Sequence, residues 1–270
     1  MFTGYNFFDY KYNIPGYNGQ DYDNGGRYIF MVASIIIIFL FCILFRKAKK
    51  DTIQKYLKIS SIVITALYIV KTTWESYYDI STGRGFNIGI LPFDTCSIVM
   101  WASLLAGWGK GKAQKIGECW LATGGIVGGI SNVLFLQALK YYPFFTFGAM
   151  YSMVWHLFMA LTGFWLLVTN YVKSDMSTVK EALIFHYAIS LFVIPFDYVT
   201  GYDFMLYLRA GGAPLVEDLA SLLNKHHLQL ITNIVVILFY FGLFTGIVYS
   251  SKGIKTLLGK INKKKATETC

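Results

Sequence analysis

The sequence predicts an all-α polytopic membrane protein of about seven spanning helices, with its N-terminus outside and its C-terminus in the cytoplasm. Three observations carry that prediction. The 270 residues are 55% hydrophobic and only 14% charged, whereas a soluble domain carries about 25% charged residues. So few charges cannot cover a water-facing surface. The apolar residues also gather in runs of about 20, the length a helix needs to cross a bilayer. Finally, the cations gather in the short segments between alternate runs.

Taken in order, the first run extends from about Tyr28 to Phe45, around four consecutive isoleucines, and stops at Arg46-Lys47-Ala48-Lys49-Lys50. The second covers about Leu57 to Tyr77. The third begins near Leu91 and ends near Trp108, before a loop with Lys110, Lys112 and Lys115. The fourth covers about Ile116 to Gln137, the fifth Ala149 to Tyr171 and the sixth Val179 to Val199. The seventh covers Leu228 to Ser250. Residues 28–250 thus form the transmembrane domain. Residues 1–27 form an external tail and residues 251–270 a basic cytoplasmic one. Gly124 to Gly129 and the pair Gly242 and Gly246 carry the small-xxx-small spacing that lets helices approach closely.

Charge sets the orientation. Of 24 cations, seventeen fall in segments 46–58, 109–115, 172–180 and 251–270, and six fall on the opposite side. The remaining one, Lys71, lies within a span. Short loops rich in Lys and Arg stay cytoplasmic, and an odd number of spans then leaves the N-terminus outside. The net charge of +9 is therefore a topology signal, and no nucleic-acid partner is expected. The first 27 residues are polar and aromatic, without the apolar core of a secretory signal, and read as an ordered or semi-ordered tail. Cys42, Cys96, Cys119 and Cys270 show no paired spacing, so neither a metal site nor a disulfide framework is expected. No cofactor is implied.

Ionisable groups inside spans are costly and mark candidate sites. Lys71 and Glu75 lie near the external end of the second span, four residues apart and so on one helix face. Asp94 and Cys96 lie in the first turns of the third span. His156 lies two turns into the fifth, and Asp197 lies near the external end of the sixth. At about 1.5 Å per residue, Cys96 and His156 both sit roughly 7–11 Å below the external interface. A thiol, an imidazole, carboxylates and an amine thus converge at one depth. A Cys beside a His forms a thiolate nucleophile, with the His as base and then acid. A cation holds a phosphate or an oxyanion. A structural reading stands beside this one. Buried cysteine is a small hydrophobe, buried histidine serves as an interhelical hydrogen-bond partner, Lys71 and Glu75 form a plain ion pair, and Asp94 and Asp197 are wetted at span ends. Cys42, Cys119 and His186 read as structural.

The segment Leu91-Pro92-Phe93-Asp94-Thr95-Cys96 resembles the LPxxxC segment of the YwaF-type family of bacterial integral membrane proteins. Three further elements follow in the family's order: the Gly-Gly-containing fourth span (Trp120 to Gly125), the aromatic-His element Val154-Trp155-His156, and an external Tyr202-to-Arg209 loop. The resemblance covers about residues 30 to 250. It implies a seven-span protein distantly similar to an animal membrane lysophospholipid acyltransferase, with the catalytic pair on Cys96 and His156. Lys71, Glu75, Asp94, Asp197 and Arg209 then become supporting or substrate-binding residues.

The resulting expectation is a multi-pass plasma-membrane protein that acts on membrane lipids, moving acyl chains with a Cys–His pair in the outer leaflet. It requires Cys96 and His156 to lie within about 4 Å or to be bridged by one water. The alternatives are a transporter or solute-binding module whose cavity is lined by the same cluster, and a structural or partner-binding membrane protein.

Overall fold

The computed structural model describes residues 5–14, 26–135, 142–209 and 216–268, with side chains omitted at Arg27 and beyond Leu257. Lys140, Cys270, residue 137 at the end of the predicted fourth span and part of the external tail lie outside these residues. Among the described residues the regular structure is helical throughout: α1 (Gly26–Leu44), α2 (Lys50–Ser81), α3 (Val99–Trp108), α4 (Lys112–Leu121), α5 (Gly124–Phe135), α6 (Phe147–Val168), α7 (Met176–Thr200), α8 (Val216–Lys225) and α9 (Gln229–Glu268). Helices α2, α6, α7 and α9 are long and apolar enough to cross a membrane unaided. Large apolar side chains such as Ile36 and Phe39 of α1 and Leu191 and Val199 of α7 are exposed on the outer faces of their helices, where hydrocarbon takes the place of water.

Two predicted spans have a different internal structure. The third is helical only from Val99. Its ten residues rise about 15 Å, half the hydrocarbon thickness. Pro92 explains the late start. Proline lacks an N–H and drives the preceding residue to extended backbone, and Leu91 sits at φ −66°, ψ 146°. The fourth span is two helices, α4 and α5, parted at Ala122–Thr123. The Thr123 hydroxyl donates back to the Cys119 carbonyl (2.9 Å). The seventh predicted span continues without a break into the basic tail, as α9.

Capping follows ordinary rules. Asp175 accepts from the Thr178 N–H at the start of α7 (3.2 Å), and Thr146 caps α6 through the Ala149 N–H (3.5 Å), each offsetting an orphan helix donor. Gly201, at φ 70°, ends α7 in the left-handed conformation, where glycine carries no Cβ penalty.

The centre of the molecule is the α5–α6 pair. A Cβ on Gly129 would fall 2.4 Å from the Ala160 nitrogen and 2.7 Å from the His156 carbonyl oxygen, and one on Gly163 would fall 2.5 Å from Cγ1 of Ile126 and 3.3 Å from its nitrogen. Bare glycines therefore bring the two backbones into contact, as the small-residue spacing predicted. Gly242 and Gly246 have open space around them, so the same spacing in α9 serves no packing among the described residues. Helix α3 folds back on α4, with Gly117 against the backbone of Ala102 and Ala106. Beyond the end of α6, Tyr171 donates to Gln54 (2.7 Å) and Glu118 (2.8 Å), and Gln54 donates to the Ala106 carbonyl (3.0 Å). These bonds hold α2, α3 and α4 to the end of α6.

Candidate functional site

The site begins with the irregular segment 91–98. Non-helical backbone at membrane depth is stable only where its polar groups find partners. Side chains from three elements supply them. Tyr68 of α2 donates to the Ile90 carbonyl, Trp101 of α3 to the Pro92 carbonyl (3.3 Å), and Trp155 of α6 to the Cys96 carbonyl (3.1 Å). Tyr240 of α9 shares a 2.6 Å hydrogen bond with the Thr95 hydroxyl. The segment is therefore pinned from both sides. Asp94, Cys96 and Ser97 face a cavity of about 180 Å³ between α2 and α6, while Phe93 packs against Phe192, Phe196 and Phe204.

From α2 the cavity receives Tyr68, Lys71 and Glu75, spaced by three and four residues and so set along one helix face. Lys71 and Glu75 form a mostly buried ion pair. From α6 come Tyr151, Ser152, Trp155 and His156. Tyr142 also lines it, its ring lying against Gly148, where a Cβ would come within 2.6 Å.

His156 has a defined tautomer. Its Nδ1 lies 2.7 Å from the Ser152 carbonyl oxygen. A carbonyl only accepts, so Nδ1 carries the proton and Nε2 carries the lone pair. Nε2 is buried without a hydrogen-bond partner among the described residues. The ring is thus oriented by its own backbone one turn back and presents a free base. The expected contact between Cys96 and His156 takes a different form. Nε2 makes no direct hydrogen bond to the thiol, because the Ser152 carbonyl fixes the ring, and the two residues meet by lining one cavity. Among the described residues no three His, Cys, Asp or Glu side chains gather as a metal site.

Five of the seven predicted site residues line this cavity: Lys71, Glu75, Asp94, Cys96 and His156. Of the other two, Asp197 lies in the last turn of α7 and Arg209 in the connection after it. Asp197 is fully buried, not wetted, and its Oδ1 accepts from the Phe204 N–H (3.2 Å). The Arg209 guanidinium donates to the Gly201 carbonyl (3.2 Å). Both residues brace a turn in which Met205 (φ 53°) and Leu206 (φ 68°) are left-handed, a conformation costly for branched or bulky residues. His186 is buried against the Tyr240 ring, with a centroid distance of 4.0 Å, and does not line the cavity. Sequence reading missed Tyr68, Ser97, Tyr142, Tyr151, Ser152 and Trp155. Ser152 had a readable signal, one helical turn before His156. The tyrosines merged with a chain that holds twenty of them.

Comparison with curated proteins and with solved structures finds no match. A family model matches residues 24–245, a stretch that holds every residue of the cavity. The chain belongs to the TMEM164 family, a family of membrane proteins.

Proposed function

We propose that the protein is a lipid acyltransferase of the plasma membrane that works in the outer leaflet through Cys96 and His156. The observation that carries this reading is the cavity in which a thiol and an oriented imidazole with a free, buried Nε2 come together beside a Lys–Glu pair. Such a base takes the thiol proton, and the thiolate attacks the ester carbonyl of a donor phospholipid. The tetrahedral intermediate collapses, and His156 returns the proton to the departing lysophospholipid oxygen. A second lysophospholipid hydroxyl then gives its proton to Nε2 and attacks the thioester, which restores the thiol. Lys71 faces the headgroup phosphate. The donor is a lipid, because a site open to the outer leaflet meets lipids and no pool of acyl-CoA.

A volume of about 180 Å³ suits the reacting ester and not a whole lipid, so the chains lie outside it. The test is transfer from a labelled phospholipid to a lysophospholipid in bilayers, for wild type, Cys96→Ala and His156→Ala. Loss of transfer in both folded variants supports the reading. No turnover by wild type over a broad lipid panel returns the cavity to a solute-binding role.

A further inference from the structure

The N-terminal segment lies across the external ends of the two helices that build the cavity. The Phe147 N–H at the start of α6 donates to the Phe7 carbonyl (2.7 Å). The Trp74 indole of α2 donates to the Phe8 carbonyl (3.0 Å). The Tyr10 hydroxyl donates to Asp79 (3.4 Å). The Tyr10 ring stacks on Tyr78 at 5.7 Å and meets Trp74 edge-on at 5.3 Å. Tyr10 is 1% exposed and Ile14 3%, burial that a loosely attached tail does not reach. Burial, then the Glu75 and Asp79 carboxylates, push the Tyr10 phenol well above its ordinary range, so it remains a donor.

This segment also controls the roof of the cavity. Tyr142, a wall of the cavity, lies between Tyr10 (6.4 Å) and Trp74 (6.1 Å) and is itself buried. With the segment in place, Tyr10 packs against Tyr142, which in turn lines the Cys96 cavity.

We propose that segment 5–14 is the water seal of the Cys96 cavity and that it determines the acceptor, a lipid hydroxyl in place of water. The second half of this inference rests on the acyl-transfer reading. Cys96 holds the acyl group as a thioester. With the seal closed, a lysophospholipid hydroxyl arriving from the bilayer side attacks the thioester carbonyl, its proton passes to His156 Nε2, and the carbon–sulfur bond breaks. With the seal open, water makes the same attack, and a free fatty acid leaves with the thiol restored. No redox partner is involved in either course. The seal excludes water as an enzyme lid does, but it is built from the protein's own tail.

The experiment uses the full chain in bilayers with Cys42, Cys119 and Cys270 replaced by serine, leaving Cys96 as the single thiol. A charged, membrane-impermeant maleimide is the probe, applied to the tail as found, to Tyr10→Ala and to the milder Trp74→Phe. Losing one hydrogen bond of about 1 kcal/mol gives close to a fivefold rise in the open population. Trp74→Phe is therefore expected to label about fivefold faster, and Tyr10→Ala, which also loses its ring contacts, about tenfold or more. In the lipid assay the ratio of free fatty acid to transferred chain rises in the same order. Equal labelling rates in all three proteins overturn the seal, even if wild type transfers acyl chains. Faster labelling with neither lipid product in any protein keeps the seal and overturns the acyl-transfer reading. Faster labelling with an unchanged product ratio overturns the acceptor role.

Discussion

Gly129→Ala tests whether the α5–α6 contact positions His156. The added Cβ would lie 2.4 Å from the Ala160 nitrogen and 2.7 Å from the His156 carbonyl oxygen. Ordinary contact begins at 3.4 Å, so the helices must part by about 1 Å at this point. Both obstructing atoms are backbone, and no side chain can rotate away to relieve the clash. Overpacking of this kind costs roughly 1–3 kcal/mol. His156 moves with its carbonyl, and a 1 Å misplacement of a reacting group lowers turnover by about 10²-fold. Thermal unfolding in detergent reads the first effect, and phospholipid-to-lysophospholipid transfer the second. Gly242→Ala is the control, since a Cβ there meets nothing. It is expected to leave both readouts unchanged or to raise stability slightly through helix propensity. Equal stability of Gly129→Ala and wild type would refute the close approach. A destabilised Gly242→Ala would show that α9 has a partner at its glycine face.

Four further outcomes follow from the same geometry. Trp155→Phe removes the donor to the Cys96 carbonyl and leaves a buried acceptor unpaired, so unfolding stability falls by about 1–3 kcal/mol, with a fall in transfer rate as the segment loosens. Tyr240→Phe removes the bond to Thr95 and costs about 1 kcal/mol in the same unfolding assay. Asp175→Ala removes the cap of α7 and costs about 1 kcal/mol, with transfer unchanged because Asp175 does not line the cavity. Lys71→Met, made together with Glu75→Gln so that no carboxylate is stranded, raises KM for the lysophospholipid more than it lowers kcat, read by steady-state transfer kinetics.

The long spans were legible because periodicity and charge act on every residue of them. The runs around Ile35–Ile38 and Leu228–Ser250 each announce a long apolar helix. The breaks at 91–98 and 122–123 were not legible, because each is short and flanked by apolar residues, so the run reads as one span. Pro92 carried the clue to the first break. Its effect depended on Tyr68, Trp101 and Trp155, which come from elsewhere in the chain to satisfy the freed carbonyls. Position along the helices grouped Lys71, Glu75, Asp94, Cys96, His156 and Asp197 at one depth, and the first five line one cavity. Depth does not give azimuth. Asp197 lies at a similar height, yet turns to the Phe204 amide. The glycines in 124–129 found their partner in α6, whereas the same spacing in α9 did not.

The break before α3 also explains how a cysteine can serve the cavity at all. On a continuous helix, Asp94 and Cys96 would point in nearly opposite directions, since residues two apart are turned by about 200° on a 3.6-residue turn. Here the Asp94 carbonyl accepts from the N–H groups of Ser97 (2.8 Å) and Ile98 (3.0 Å). This tight turn lets all three side chains line one cavity. The turn would be unstable in lipid with its carbonyls bare. Trp155 bonds to the Cys96 carbonyl within it and Tyr68 to the Ile90 carbonyl just before it, and both also line the cavity. The aromatic residues that make the turn stable are thus the walls of the space it faces, and helices α2 and α6 bring them there together with Lys71 and His156. Removing either aromatic donor should therefore disturb the Cys96 position and the cavity shape together, which separates this arrangement from one in which the cysteine only fills space.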